Sequence, residues 1–302
     1  YRNETQESYQ KGIEILEDAL ANDPTSALAY AARGQGYLEL VHRVVPKMEA
    51  MSRARAAIEK AIELDPTLAE AHMALGLHQL YGDWDISAAG VSLKRAMELN
   101  PSLADAWYHW AWLLELTGDD EEAIAAGEKT VELSPLHSFY IAWLADQYRD
   151  VGNYEKAIEL AESVIALSPG FPVAWLVIGG VYGEQGRFDE AIAAHEHLAG
   201  MPYWEFALGQ TYAWAGQPEK ALEIAQGYER EPSKGIALAI IYAALGDVDK
   251  TLYWSKHARE NRFPWALGLF SYFTATRAML ENPRIRTEAE LYPVPLVPYP
   301  KD

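Results

Sequence analysis

Gly118-Asp119-Asp120-Glu121-Glu122-Ala123, Gly152-Asn153-Tyr154-Glu155-Lys156-Ala157 and Gly186-Arg187-Phe188-Asp189-Glu190-Ala191 are versions of one short motif, and their glycines stand 34 residues apart. Pro101, Pro135 and Pro169 keep the same interval, each just behind an Asn or Ser that follows an apolar helical pattern. Proline stops a helix, and glycine supplies the left-handed residue that ends one. One period therefore reads as two amphipathic helices, for example about Leu103 to Thr117 and Asp120 to Leu133, with a glycine turn between and a proline after. The acidic residues after the glycine suit the positive N-terminal end of the second helix.

Small residues Ala111, Ala145, Gly179 and Gly209 fall midway along the first helices, and Ala123, Ala157, Ala191 and Ala221 open the second ones, so the two can approach closely. Large residues at helical spacing, Trp107 with Leu114, Ile141 with Tyr148 and Trp175 with Tyr182, fill the volume around them. A lone hairpin leaves one face bare, so neighbours must stack. Aromatic, small, small, proline and period agree in successive units, and in this the chain resembles the tetratricopeptide repeat family. The resemblance implies an all-α fold: a right-handed α-solenoid of about seven helical hairpins, with an irregular C-terminal helix and an extended proline-rich tail.

The period places a half repeat near 2–23, then units at 24–65, 66–100, 101–134, 135–168, 169–201, 202–231 and 232–263, and a helical cap at 264–290. Residues 1–290 are thus expected to form one superhelix, with 291–302 as the tail. The first full unit is too long, and its excess falls in the turn near Val44-Val45-Pro46-Lys47. After Gly186 the turn glycines come at Gly216 and Gly246, steps of 30, so two units lose about one helical turn each. Beyond Asn261-Arg262-Phe263-Pro264-Trp265 another helical stretch is expected to about Leu280. In the tail, Pro293, Pro295, Pro298 and Pro300 exclude helix, and Leu291, Val294, Leu296 and Val297 either lie along an apolar surface or belong to a disordered end. Residues 2–23 read as the second helix of an earlier unit, which points to further chain upstream of Tyr1: an output domain, an anchor or a signal segment.

Half of the 302 residues are hydrophobic and 12% aromatic, so nearly all of the chain is expected to pack. Lys and Arg total 25 against 44 Asp and Glu, a formal charge of -19 that repels phosphate backbones and anionic lipids. The plain reading of that charge is solubility, and the sharper one is attraction of a basic protein or peptide. The absence of cysteine excludes disulfides and thiolate chemistry. No apolar run reaches the roughly 18 residues of a membrane span. The compartment stays open, with periplasmic ahead of cytoplasmic.

A narrower resemblance rests on Glu63-Leu64-Asp65-Pro66-Thr67-Leu68-Ala69-Glu70-Ala71-His72, Asp83-Trp84-Asp85, Gly235-Ile236-Ala237-Leu238-Ala239-Ile240-Ile241-Tyr242 and Arg262-Phe263-Pro264-Trp265. Their order is similar to the repeat region of bacterial regulators that carry a winged-helix or adenylate cyclase output domain. Asn282-Pro283-Arg284-Ile285 matches that group's closing segment only approximately. In the broader family the first helices line a concave face. Its expected partner-binding residues are Glu70 and Met73, then Asp105, Tyr108 and Trp112, then Phe139, Asp146 and Arg149, then Tyr203, Phe206, Gln210 and Trp214; Met73 and Phe139, with Leu77, read more readily as packing against the adjacent first helix. Ten tryptophans exceed what the repeat needs, which suggests an aromatic groove for an extended or helical peptide, with Asp105, Asp146 and Arg149 fixing register.

Chemistry is expected to be absent. His195-Glu196-His197 places two imidazoles on different sides of a helix, unsuited to one metal ion. Asp83-Trp84-Asp85 and the 119–122 carboxylates lack calcium-loop spacing and read as caps. Gly179, Gly180, Gly183 and Gly186 follow no strand and precede no Gly-Lys-Ser/Thr, so they serve packing and a turn. His72, His109 and His137 have no partner acid or nucleophile that the sequence identifies. The expected function is a non-catalytic protein- or peptide-binding scaffold without cofactor or metal, alone, as a homo-oligomer or as a subunit of a larger assembly. The alternatives are a ligand or peptide sensor that signals by curvature and, more remotely, a repeat-based enzyme.

Overall fold

The computed structural model describes residues 6–41, 47–201, 203–271 and 273–296, and every regular element among them is helical. It divides into two compact units, residues 1–113 and 114–302. The expected insertion at Val44–Pro46 and the tail from Val297 onward, with Pro298 and Pro300, lie outside the described residues.

In the first unit α1 (Gln6–Asn22) packs on α2 (Ala27–Val41), α2 on α3 (Lys47–Leu64), and α4 (Ala69–His78) on both α2 and α5 (Ile86–Leu99). Ile13, Leu38, Met51, Ala54, Ile58, Ala74 and Leu77 form one buried cluster between these helices. Each hairpin is entered through a proline turn that a polar side chain locks. Asp65 Oδ1 accepts from the Thr67 amide at 2.9 Å and hydroxyl at 2.7 Å, and Asn100 Oδ1 accepts from the Ser102 amide at 3.1 Å. The indole of Trp107 closes its own turn by donating to Pro101 O at 2.9 Å, and His72 bonds Pro66 O at 2.8 Å from the equivalent place. A π-turn at Gln79–Asp83 follows α4, Trp84 leaves it with φ 59, and Asp85 caps α5 by accepting from the Ala88 amide at 2.9 Å.

From α6 (Ala104–Thr117) the second unit continues with α7 (Asp120–Leu133), α8 (Ser138–Asp150), α9 (Tyr154–Leu167), α10 (Pro172–Glu184), α11 (Phe188–His195), α12 (Phe206–Trp214), α13 (Pro218–Tyr228), α14 (Gly235–Ala244) and α15 (Val248–Glu260). Helices α8 and α9, α10 and α11, α12 and α13, and α14 and α15 pair as hairpins, and the first helices α8, α10, α12 and α14 stack in succession. Gly118, Gly152, Gly186, Gly216 and Gly246 all turn with φ between 72 and 81. A side chain in that left-handed region costs about 1–2 kcal/mol, which is why glycine recurs there. The lost turn after Gly186 is real: α11 spans 8 residues and α12 spans 9. Asp119 does not cap α7 with its side chain. It accepts from Thr117 Oγ1 at 2.8 Å instead, so the acidic run acts there through charge alone.

The C-terminal part departs from expectation. In place of a helix running to Leu280 there are a 3-10 turn at Pro264–Gly268, the short α16 (Thr274–Ala278) and a further 3-10 turn at Met279–Glu281, followed by α17 (Pro283–Ala289). The reason is visible in burial: Ala266, Leu267, Leu269, Phe270 and Ser271 are all at most 5% exposed. A single helical face cannot bury so many residues in a row, whereas an irregular segment wedged between helices can. The tail docks through Tyr292, whose hydroxyl donates to Ser255 O at 2.8 Å and whose ring meets Phe270 edge-on. Val294 is also buried, but Leu291 is 57% exposed, so the expected alternation holds only in part.

Candidate protein-interaction site

In the first unit the candidate residues sit on α4 and α6. Glu70, Asp105 and Tyr108 are half-buried, while Met73 is 1% and Trp112 5% exposed. Trp112 lies 5.4 Å from Tyr81 between ring centroids, so it forms floor more than contact surface. Several other tryptophans also have structural employment. Trp107 and Trp175 close proline turns, the latter donating to Pro169 O at 2.7 Å, and Trp143 stacks on Trp265 at 5.7 Å with planes 9° apart.

That last pair belongs to the main feature of the second unit. The segment 264–281 lies across the inner face of its first helices, the face on which the sequence placed a partner. Trp265 covers Trp143 of α8, which in turn meets Phe139 at 5.9 Å. Thr274 Oγ1 donates to Glu184 of α10 at 3.1 Å, and Phe273 meets Phe206 of α12 edge-on at 6.1 Å. Phe139, Asp146, Arg149 and Phe206 are therefore brought to one face, and the chain itself occupies it. Of the remaining candidates, Gln210 and Trp214 of α12 are half-buried, and Tyr203 is 53% exposed with the Lys234 ammonium 4.3 Å from its ring.

Beneath the segment is a buried ionic network. Arg149 Nη2 lies 3.0 Å from Asp146 and 2.8 Å from Asp150, and its Nε 3.7 Å from Glu184. Gly180 leaves room for that guanidinium, since a Cβ there would come within 2.7 Å of it. One cation cannot balance three carboxylates in a dry site. Burial accordingly pushes Asp146 up to about 7 despite Arg149, and burial with the nearby Asp150 raises Glu184 as well. Burial also drives Glu115 well above the ordinary carboxylate range, Asp150 adding to the effect and a hydrogen bond with Gln147 opposing it. A cavity of about 30 Å³, lined by Glu115, Asp120, Gln147, Asp150, Ser271 and Arg277, adjoins the network. It has the size of a single water site. Among the described residues no group of three or more His, Cys, Asp or Glu is disposed to hold a metal ion.

His195 and His197 face different surroundings. His195 is 3% exposed, with Nδ1 2.8 Å from Thr211 Oγ1 and Nε2 3.2 Å from Leu176 O. His197 is exposed and stacks on Trp175 at 3.7 Å. Burial holds both His195 and His109 at about 4. Sequence reasoning missed Trp265, Phe273 and Thr274 as occupants of the inner face; the apolar run from Ala266 to Phe270, interrupted only by Gly268, is the signal that marks them. No helix of the described residues is long and apolar enough to cross a membrane.

Residues 82–138 and 148–200 each match a tetratricopeptide repeat family profile. No curated protein matches the chain. Among solved structures, the APC/C hetero-tetramer Cut9–Hcn1 is similar with TM-score 0.62 and 16% identity, over 93% of this chain and 52% of that one. A tetratricopeptide repeat protein from Parabacteroides merdae gives 0.56 and 15%, over 85% and 99% respectively. Pseudomonas aeruginosa pilF gives 0.53 and 19%, over 70% and 93%. At such identities the likeness speaks for the fold alone. Residues 82–138 and 148–200 thus carry the tetratricopeptide repeat signature, and the rest of the chain shares the all-helical repeat architecture of these structures.

Proposed function

We propose that the chain is a non-catalytic protein-binding module that holds a polypeptide segment along the first helices of its hairpins. One observation carries this reading: the inner face of the second unit already holds a polypeptide, residues 264–281, by a ring stack on Trp143, an edge-on contact with Phe206 and a hydrogen bond to Glu184. The first unit presents the same class of helix face, with Glu70 on α4 and Asp105 and Tyr108 on α6 above a floor of Met73 and Trp112. An aromatic surface with few rotors to freeze, edged by carboxylates, suits a peptide carrying apolar and basic residues.

The module belongs to a bacterial regulator or to a multiprotein assembly. Supporting the regulator, the two non-glycine residues with left-handed backbone among those described, Trp84 with φ 59 and Arg262 with φ 46, both lie in the segments that resemble that group. A sensor that signals by curvature is the second reading, favoured by the folding of 264–281 onto the inner face. Titration of short labelled peptides of basic, acidic and aromatic composition, followed by anisotropy, tests the main proposal. Tyr108→Ala and Asp105→Ala are each expected to weaken the best binder about tenfold or more, that is by about 1.4 kcal/mol. Trp112→Ala is a poorer probe because that side chain is buried. If no peptide binds, or both variants bind as the parent does, the reading fails.

A further inference from the structure

We infer that the outer trough formed by α9, α10 and α11 is a second interaction surface, one that takes the apolar edge of an amphipathic helix flanked by lysine or arginine. Its floor is Trp175, Ile178 and Tyr182 of α10, spaced as two turns of one helical stripe, and its walls are Ile165 of α9 with Ala193 and Ala194 of α11. The opening measures about 480 Å³, within the roughly 300–1,000 Å³ of clefts that hold ligands. It lies on the back of α10, away from Gly180 and Glu184, and so does not depend on the first-helix reading.

The sequence opens this trough relative to the hairpins on either side of it. Counted from the alanine that begins each second helix, Ala194 stands where α9 has Leu160 and α13 has Ile224. A short side chain there uncovers the α10 stripe that a branched one would fill. The stack of His197 on Trp175 at 3.7 Å fixes the indole in the floor.

The walls decide the conformation of the occupant. Helices α9, α10 and α11 use their own backbone groups internally, so the trough offers no donor or acceptor ladder. An extended peptide would press unpaired amides and carbonyls onto an apolar floor, whereas a helix arrives with its backbone already satisfied. The stripe from Trp175 to Tyr182 spans about 10 Å, or two helical turns, which suits anchors three and four residues apart on the incoming helix.

The rim decides its charge. Glu162 lines the trough, and Glu155 and Glu159 precede it along the same exposed edge of α9, while Glu190 stands on the opposite wall. Lys156 is 3.0 Å from Glu159 and Arg187 is 2.7 Å from Glu190. Among the described residues Glu155 and Glu162 have no such partner, so the edge stays negative. With a formal charge of -19 on the chain, a second copy or an acidic helix is repelled and a basic helix attracted.

The test is a titration of the chain with a synthetic leucine–lysine amphipathic helix and with its leucine–glutamate counterpart, followed by tryptophan fluorescence and calorimetry. The lysine helix is expected to bind, to weaken with added salt, and to bind at least about tenfold more tightly than the glutamate helix. Ala194→Leu, which restores the side chain of the neighbouring hairpins, is expected to weaken it about tenfold. The double change Glu155→Lys and Glu162→Lys alters only surface and abolishes the preference for lysine, so it carries the test even if Ala194→Leu folds poorly by circular dichroism. Equal affinity for the two helices, or lysine-helix binding that neither variant changes, overturns the proposal. So does a parent chain that sediments as a dimer which Ala194→Leu dissociates, for the trough would then belong to a second copy, and so does a trough that binds an apolar dye but neither helix.

Discussion

Replacing Gly179 by alanine sets a gain in helix propensity against a steric loss, and the structure determines the sign. A Cβ on Gly179 would stand 2.2, 2.3 and 2.7 Å from Cδ2, Nε2 and Cγ of His195, closer than any relaxed contact. The ring cannot swing aside cheaply, because it is 3% exposed and bonded to both Thr211 Oγ1 and Leu176 O. Alanine in mid-helix contributes about 0.5–1 kcal/mol. Against this, overpacking costs about 1–3 kcal/mol, and stranding a buried hydrogen-bonding group costs about 1–3 kcal/mol more. The expected net loss is about 2–4 kcal/mol, read as a lower urea midpoint by circular dichroism with an unchanged slope.

The same geometry predicts its own rescue. One period earlier, Ala145 and Ala161 occupy the places of Gly179 and His195, and both are fully buried. Gly179→Ala combined with His195→Ala recreates that alanine pair, so the double variant is expected to be less destabilised than the two single losses together by about 1–3 kcal/mol. A Gly179→Ala variant as stable as the parent, or strictly additive losses, would refute the account of the hairpin crossing.

Burial holds His195 at about 4 against an ordinary 6.5, so its contribution is complete above 6.5 and is lost as the pH falls toward 4; His195→Ala is expected to flatten that acid limb in urea midpoints measured against pH. Burial raises Asp146 from 3.8 to about 7, so its contribution is complete below 3.8 and is lost as the pH rises through 7, a decline that Asp146→Asn is expected to remove. Trp265→Ala gives up the stack on Trp143 and is expected to cost about 2–3 kcal/mol by thermal or urea unfolding. Asp247, which accepts from the Lys250 amide at 3.0 Å, is expected to lose about 1 kcal/mol as Asp247→Ala, whereas Asp119→Ala at a helix start without such a bond is expected to stay within about 0.5 kcal/mol in the same assay.

The hairpins were legible because their signals are local. A glycine five residues ahead of the alanine that opens the second helix, and a proline after its end, report on backbone conformations that the next few residues settle. The positions of Gly118, Gly152 and Gly186 could thus be read with no knowledge of what packs on them. What could not be read was which face stays open. Asp146 and Arg149 sit at helical spacing that marks an inner face, and they are on that face, but a segment more than a hundred residues downstream buries them. No period predicts such a contact, because it depends on where the solenoid delivers its own C-terminal chain. Trp107 and Trp175 read from the spacing as packing residues, but their second role could not be read for a related reason: their hydrogen bonds to Pro101 O and Pro169 O belong to turn geometry, and composition does not record them.

The magnitudes also settle whether the 264–281 segment is a displaceable plug or part of the fold. Leu267, Leu269, Phe270 and Leu280 are each at most 7% exposed. At about 1.5–3 kcal/mol apiece, they commit roughly 6–12 kcal/mol, before Trp265 or the Thr274 hydrogen bond is counted. A peptide binding with micromolar affinity supplies about 8 kcal/mol, and it would have to spend that on a site whose exposed carboxylates would still need a cation. Exchange is therefore unfavourable, and the segment closes the second unit as its cap, so the proposed recognition falls to the first helices of the first unit and to the back of α10. A chain shortened to end at residue 263 is accordingly expected to lose cooperative unfolding in the second unit, not to become a better peptide binder. Calorimetry on the shortened chain, with a peptide titration alongside, distinguishes the outcomes. A sharp, parent-like transition accompanied by new peptide binding at the uncovered face would show that the segment is a switch after all.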